Sequence, residues 1–441
     1  MAAARPPMSA SADELGEKMT VTDLTTTEFV TDPYTAYGRM REEAPVLRGT
    51  FFGGAPVWVV TRYDDVRAVL GDPTHFANDP AAVPGSGAAD LKRDAMVQIG
   101  IPEDLLHYLT DSIISADGAH HTRLRKLVSR AFTVRRVGEL RPRVEAITAA
   151  LLDRLEKLGA GGTPVDLVEE FAYPLPITVI CELVGIPETD REAWHAWSKD
   201  LATMDRERIP TALRDMVDHI LSLVACRRAE PADDLLTALV RVADADGDRL
   251  SDDELVTMIL SLVIAGHETT AHLISNAVVA LLTRPDQLAA LRADPELWPG
   301  AIAELMRRSG PVQFASTRYA LADTELGGVK VKAGEGLQPA LVAANSDPRE
   351  FDDPERLDVA RRTAERGEGH VGFGFGPHYC LGAALARQEG EVALRVLVER
   401  FPDLALAVDP GELVWLPVPG MRRLSAVPLR LRCGWAELRL G

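Results

Sequence analysis

Apolar and polar positions along this chain of 441 residues follow two rhythms, and the changes of rhythm place its elements. From about Asp32 the pattern reads as a short helix (DPYTAYGRMREEA), a pair of β segments (VLRGTFF and PVWVVTR) and a second helix (YDDVRAVL) that stops at Gly71. Between Asn78 and Asp117 small and turn-forming residues dominate, as in AAVPGSGAAD, which predicts a loop carrying one or two short helices. Helical spacing resumes near His121 and continues to about residue 308, with breaks at Gly159–Pro164, Gly185–Pro187 and Glu230–Ala232. Strand-like pieces follow at Thr324–Val331 and within Leu404–Leu431, the second with turns at Pro410–Gly411 and Pro417–Gly420. The order predicts a mainly α fold with small β elements at both ends. Its longest helix runs from Asp252 to about Thr283, with Ser251 as N-cap and Glu254 completing a capping box. At ~1.5 Å per residue that helix is on the order of 48 Å long, enough to cross a whole domain.

With 46% hydrophobic residues the chain can bury a large core. No linker-like stretch and no repeat of ~20–50 residues interrupts it from residue 32 onward, so residues 32–441 read as one domain. The preceding 1–31 read as a disordered lead, because MAAARPPMSASADELGEKMT lacks the apolar stretch of a signal peptide. The longest apolar run, MILSLVIAG at 258–266, is about half of the ~20 residues a membrane span needs. Four cysteines without paired spacing (Cys181, Cys226, Cys380, Cys433) suit a reducing compartment. A monomer in the cytoplasm, away from membranes, is expected. The balance of 48 basic against 66 acidic residues, a net charge of −18, disfavours nucleic acid as a partner. Locally the sign reverses: Arg123, Arg125, Lys126, Arg130, Arg135, Arg136, Arg141 and Arg143 face Glu139 alone. That stretch is either a solvated helix face or a docking patch for an acidic partner.

The densest chemistry lies in GFGFGPHYCLG, residues 372–382. Cys380 follows glycines and aromatics and stands just before LGAALARQEGEVALRVLVER, which puts its sulfur at a helix N-terminus. Unpaired N–H groups there favour a thiolate, either a nucleophile or a metal ligand. Glycines 372, 374 and 376 let the backbone of this loop bend sharply and approach a neighbour closely. A zinc site with His370 and His378 lacks a fourth ligand at any usual spacing.

Phe373, Gly376, Cys380 and Gly382 spell FxxGxxxCxG, and on these residues the chain resembles the cytochrome P450 family. The likeness extends from about Asp32 to about Leu431 and is nearest the soluble actinobacterial type that tailors macrolides and other natural products. It implies a triangular helical prism with haem b between the long helix and the Cys380 helix. Cys380 would be the iron's thiolate ligand, Phe373 would shield the sulfur, and Gly374 and Gly382 would let loop and helix approach the ring. The segment AGHETT, 265–270, matches the family's oxygen-binding turn, where Gly266 and back-bonding threonines favour a widened helical turn. Glu268 and Thr269 would deliver protons there, and His267 reads as a surface or packing residue. His121, Arg125, Arg318 and His378 fall at positions that hold the haem propionates, although DGAH stands before His121 where Asp-Pro-Pro is common. Glu304 and Arg307 form the family's ExxR pair, with Arg356 in the third position of a structural triad and Leu357 where Phe is usual.

The resemblance implies a monooxygenase that uses dioxygen and NAD(P)H electrons, passed through a ferredoxin and its reductase on the basic proximal face. It would hydroxylate or epoxidise a bulky lipophilic secondary metabolite. Oxidative coupling or ring formation is the alternative chemistry, and a catalytically silent P450-fold partner protein is the remote one. Substrate-lining segments by the same likeness are Asn78–Ile114 with a mobile lid near 81–89, Trp194–Leu221, Leu262–Gly266, Val312–Ser316 and Val418–Met421. The named contacts are Leu262, Val263, Ala265, Gly266, Val312, Phe314 and Val418.

Overall fold

Ser251 Oγ accepts the Glu254 N–H at 3.2 Å, and the Glu254 carboxylate accepts the Ser251 N–H at 2.8 Å. This reciprocal cap opens the helix Asp252–Leu282, the longest element in the computed structural model. The model describes residues 21–51, 54–85, 90–202, 205–242, 247–361, 369–418 and 420–431. Residues 1–20, Ser86–Ala89 of the expected lid and Cys433 lie outside the described residues.

The long helix is buried around most of its circumference from Leu255 to Leu281. It packs against the helices Pro174–Val184, Arg208–Ala229, Trp298–Ser309 and Ala383–Arg400, whose apolar faces make one continuous core around it. The widened turn expected at AGHETT does not form, since all 31 residues stay α-helical. The Thr269 hydroxyl instead donates to the Ala265 carbonyl at 2.7 Å and that of Thr270 to Gly266 at 2.9 Å. These bonds to the carbonyl four residues back can be made inside an unbroken helix.

Eleven short strands are described: β1 (Thr22–Asp23), β2 (Val46–Thr50), β3 (Val57–Val60), β4 (Phe76–Ala77), β5 (Val165–Asp166), β6 (Arg318–Ala320), β7 (Thr324–Leu326), β8 (Val329–Val331), β9 (Gly336–Pro339), β10 (Ala405–Leu406) and β11 (Pro428–Arg430). Six make a sheet in the order β1-β2-β3-β9-β6-β4, three more run β10-β11-β5, and β7-β8 is a hairpin. The larger sheet brings β6, with Arg318, beside β4 and the Asn78 that follows it. Residues 22–31 belong to this domain and not to a disordered lead. β1 pairs in parallel with β2, and Phe29, buried on the helix Thr27–Thr31, meets the Tyr37 ring edge-on at 4.8 Å between centroids. The loop expected from Asn78 to Asp117 contains the helices Leu91–Gln98 and Glu103–Thr110. Among the described residues no helix is long and apolar enough to cross a membrane.

Candidate active site

The loop carrying Cys380 turns back on itself because the Cys380 N–H donates to the Phe373 carbonyl at 2.9 Å. The sulfur therefore lies just ahead of the helix Ala383–Arg400 and is open to an internal cavity of about 330 Å³. Burial pushes the Cys380 thiol above its ordinary pKa, against the Gly382 N–H, Arg125, Arg387 and the Ala383 N–H, which all pull it down. Burial thus opposes the pull that the helix terminus exerts toward the thiolate. A metal cation would complete the reversal and release the thiol proton. Phe373 is buried next to the sulfur loop, with the Arg387 guanidinium 4.8 Å from its ring centre. Gly376 has φ +72, and a side chain there would meet the Leu70 carbonyl at 2.5 Å, so the loop is seated directly on the helix Tyr63–Gly71.

The opposite wall of the cavity is one face of the long helix: Leu262, Ala265, Gly266 and Thr269. Glu268 is turned off this face, and its carboxylate accepts from Arg423 Nη1 at 3.1 Å. Burial raises its pKa while Arg423 lowers it, and the net is a carboxyl that keeps its proton to higher pH than usual. His267 is a buried packing residue, with Nδ1 donating to the Val263 carbonyl at 2.8 Å and Nε2 3.1 Å from the Tyr173 hydroxyl.

Four basic side chains from three segments meet at the rim. His121 and Arg125 lie one turn apart on the helix Gly118–Ala131, Arg318 comes from β6, and His378 precedes the sulfur. The His121 and His378 rings are 4.1 Å apart, and Asn78 bridges His378 Nε2, at 2.7 Å, to Arg318. Burial lowers Arg318 to about 10, and burial together with His378 and Arg125 lowers His121 to about 4. The nearest carboxylate is Asp117, 3.7 Å from His378 and already accepting from the Asn78 and Asp79 N–H groups. Among the described residues neither Arg125 nor Arg318 has a carboxylate ion-pair partner. Buried cations left in this state are matched to an incoming ligand with two carboxylates, and the two propionates of haem fit that donor set.

Comparison with known proteins agrees with this geometry. The family model described as Cytochrome P450 matches residues 193–412. The cytochrome P450 monooxygenase PikC of Streptomyces venezuelae is 44% identical over 408 residues, covering 92% of this chain and 93% of that one. The 6-deoxyerythronolide B hydroxylase of Saccharopolyspora erythraea is 44% identical over 416 residues, covering 93% and 99%. The ligand-free structure of the P450 monooxygenase TamI superposes with a TM-score of 0.81 at 38% identity, covering 94% of each chain. The chain belongs to the cytochrome P450 family.

In this P450 the ExxR network is present, with a different third arginine. The Glu304 carboxylate accepts from Arg307 Nε at 2.7 Å and Nη2 at 2.8 Å, both side chains being almost fully buried. Arg307 also donates to the Asn345, Pro354 and Arg356 carbonyls. Arg356 thus contributes its backbone, and with that carbonyl turned inward its side chain is exposed. Arg361 folds back to place Nε 3.1 Å from Glu304. The sequence carries a signal for it, an arginine five residues downstream in DVARR, but spacing alone did not separate the two.

Of the substrate-lining residues named from sequence, Leu262, Ala265, Gly266, Val312 and Phe314 line the cavity. Val263 faces the other way into the helical core, and Val418 lines a small separate groove with Leu24 and Trp415. No described residue of Trp194–Leu221 reaches the cavity, where Ile180 stands instead. Ile113 and Ile114 are the cavity's contacts from the loop before His121.

The basic stretch is largely neutralised within the protein. Arg123 pairs with Asp248 and Glu254, Arg135 with Glu139, Arg136 with Asp233, Arg141 with Glu145 and Glu391, and Arg143 with Glu182. Arg125 points to the haem rim instead. The Arg141–Glu391 pair and the bond from Gln388 Nε2 to the Val137 carbonyl fasten this segment to the helix that follows Cys380.

Proposed function

We propose that this P450 monooxygenase hydroxylates or epoxidises a bulky, uncharged, lipophilic natural product, with NAD(P)H electrons passed through a ferredoxin and its reductase. The observation that carries the substrate class is the cavity wall beyond Cys380. Ile113, Ile114, Ile180, Leu262, Val312 and Phe314 are apolar; among the described residues the one carboxylate lining the cavity, Glu389, comes from the Cys380 helix, and Glu268 is turned off the wall and paired with Arg423. A charged amine or carboxylate would be desolvated there without a partner, at a cost of several kcal/mol. Similarity to the 6-deoxyerythronolide B hydroxylase supports the same class.

His121, Arg125, Arg318 and His378 hold the haem carboxylates in this reading, and Phe373 screens the sulfur. When bound, the haem supplies dioxygen activation, its thiolate ligand favouring O–O cleavage. Thr269 keeps a hydroxyl at the cavity wall to pass protons inward, and Glu268 feeds it from the solvent side. Thr269→Ala is expected to divert most reducing equivalents to hydrogen peroxide while haem content stays unchanged, as measured by peroxide released per NAD(P)H consumed.

The substrate class is tested by screening compounds for the shift in haem spin state on binding. Neutral macrolactone-sized compounds should give the largest shifts, and equal or tighter binding of cationic analogues would overturn the reading. The ferredoxin would approach on the side of the helix following Cys380, where Arg130 and Arg136 lie in the neighbouring segment. Reversing both to Glu should raise the half-saturating ferredoxin concentration severalfold and steepen no other constant, since surface charges act chiefly on encounter.

A further inference from the structure

One stripe of the long helix carries Glu268, His272 and Asn276, each one turn after the last, so that neighbours lie ~5–6 Å apart at Cβ. His272 is 3% exposed, and among the described residues neither of its ring nitrogens has a hydrogen-bond partner. Asn276 donates from Nδ2 to the Arg422 carbonyl at 2.9 Å and the Ser309 carbonyl at 3.3 Å, but its Oδ1 is likewise buried without a partner. The charged and titratable groups acting on the imidazole are Arg423, from the C-terminal segment packed on this stripe, and His267 on its own helix. Burial, reinforced by these two, lowers its pKa to about 3, so the ring is neutral, with one N–H to give and one lone pair to fill.

Three unmet polar atoms in a row are costly, because each loses its bonds to water and gains none in return. Buried groups of this kind are normally satisfied by internal water making ~3 hydrogen bonds. Glu268, at the outer end of the stripe, has a carboxyl that burial makes a better proton holder, and its side chain retains 22% exposure. Thr269, adjacent to it in sequence, lines the cavity.

We propose that His272 anchors internal water against the Glu268 carboxyl, and that this water-linked pair is the path by which protons reach the Thr269 wall of the cavity. The proton leaves the Glu268 carboxyl, crosses the anchored water toward Thr269, and is replaced on Glu268 from bulk solvent. His272 gives and takes hydrogen bonds without net change of protonation, and is a positioning residue. The proposal rests on the monooxygenase reading above.

Two measurements test it. A crystal structure of the ferric wild-type protein at a resolution that shows water should place a water within hydrogen-bond distance of a His272 ring nitrogen, and a dry imidazole overturns the proposal. The second uses dioxygen and NADPH with a surrogate ferredoxin and reductase and no organic substrate, comparing wild type, His272→Phe and His272→Asn. His272→Phe should slow four-electron reduction of dioxygen to water on the order of tenfold, less than the ~10²–10⁴ of a direct acid–base group. It should also raise the peroxide share and enlarge the solvent deuterium isotope effect. His272→Asn, which can still bind water, should restore most of the wild-type partition. A purely packing role predicts no change in isotope effect or peroxide share for either variant, and that result overturns the inference. The ferrous carbon monoxide spectrum separates the two failures, since a missing thiolate band sinks the monooxygenase reading itself, whereas an intact band with unchanged partition sinks only the role of His272.

Discussion

Cys380→Ser is expected to give a protein that folds and still takes up haem, yet has no thiolate Soret band in the ferrous carbon monoxide spectrum. Monooxygenation should fall by on the order of 10³-fold, about 4 kcal/mol of barrier. The rim is untouched by the substitution, so His121, Arg125, Arg318 and His378 remain in place for the role proposed for them, holding the carboxylates of the ring. What disappears is electron donation from sulfur, and Cys380→His should make the same point by shifting the centre toward reversible oxygen binding. Both variants are to be measured for haem content and spectrum before turnover. A thiolate band persisting in Cys380→Ser would show that another residue ligates the iron.

The second large effect is on stability. Glu304→Ala leaves the Arg307 guanidinium buried with three carbonyls and no carboxylate, a loss expected to cost about 3–5 kcal/mol. Most of the expressed protein should then lack haem, because Arg307 ties the helix Trp298–Ser309 to the Asn345–Arg356 segment and Asn345 Oδ1 in turn accepts the Val371 N–H at the start of the sulfur loop. Arg361→Ala removes one bond to Glu304 and three to the Asp352, Asp353 and Arg356 carbonyls, and should lower the urea midpoint clearly but less. Arg356→Ala keeps the carbonyl that Arg307 uses and should unfold like the wild type. Equal damage from Arg356→Ala and Arg361→Ala would refute this division of labour.

Local chemistry was legible in the sequence wherever it depends on neighbours along the chain. The capping box at Ser251 and Glu254, the pairing of His121 with Arg125 on one helix face, and the position of Cys380 ahead of a helix all follow from spacing. Helix phase was misjudged once, at Val263, because the run MILSLVIAG is otherwise apolar and its one polar residue, Ser261, which does line the cavity, was not used to mark the open face. The widened turn failed for a different reason: the Thr269 and Thr270 hydroxyls satisfy themselves on carbonyls of the same helix, so nothing forces it apart. Contacts between distant segments were beyond reach. Arg423 on Glu268, Ile180 in the cavity and Arg361 on Glu304 depend on how loops return across the core, and no periodicity encodes that. The ion-pair partners of the run from Arg123 to Arg143 were out of reach for the same reason, since some of these acids sit up to 250 positions away.

The seating of Gly376 against Leu70 sets terms for anyone who would retrain this catalyst. Position 376 has no second letter: any side chain needs both a left-handed backbone and the room now filled by a carbonyl oxygen. Libraries that randomise the sulfur loop would therefore consist mostly of haem-free protein. Ile114, 42% exposed on the roof of the cavity, is bound by no such constraint. Diversity spent there changes what the pocket admits and leaves the cofactor seat as evolution left it.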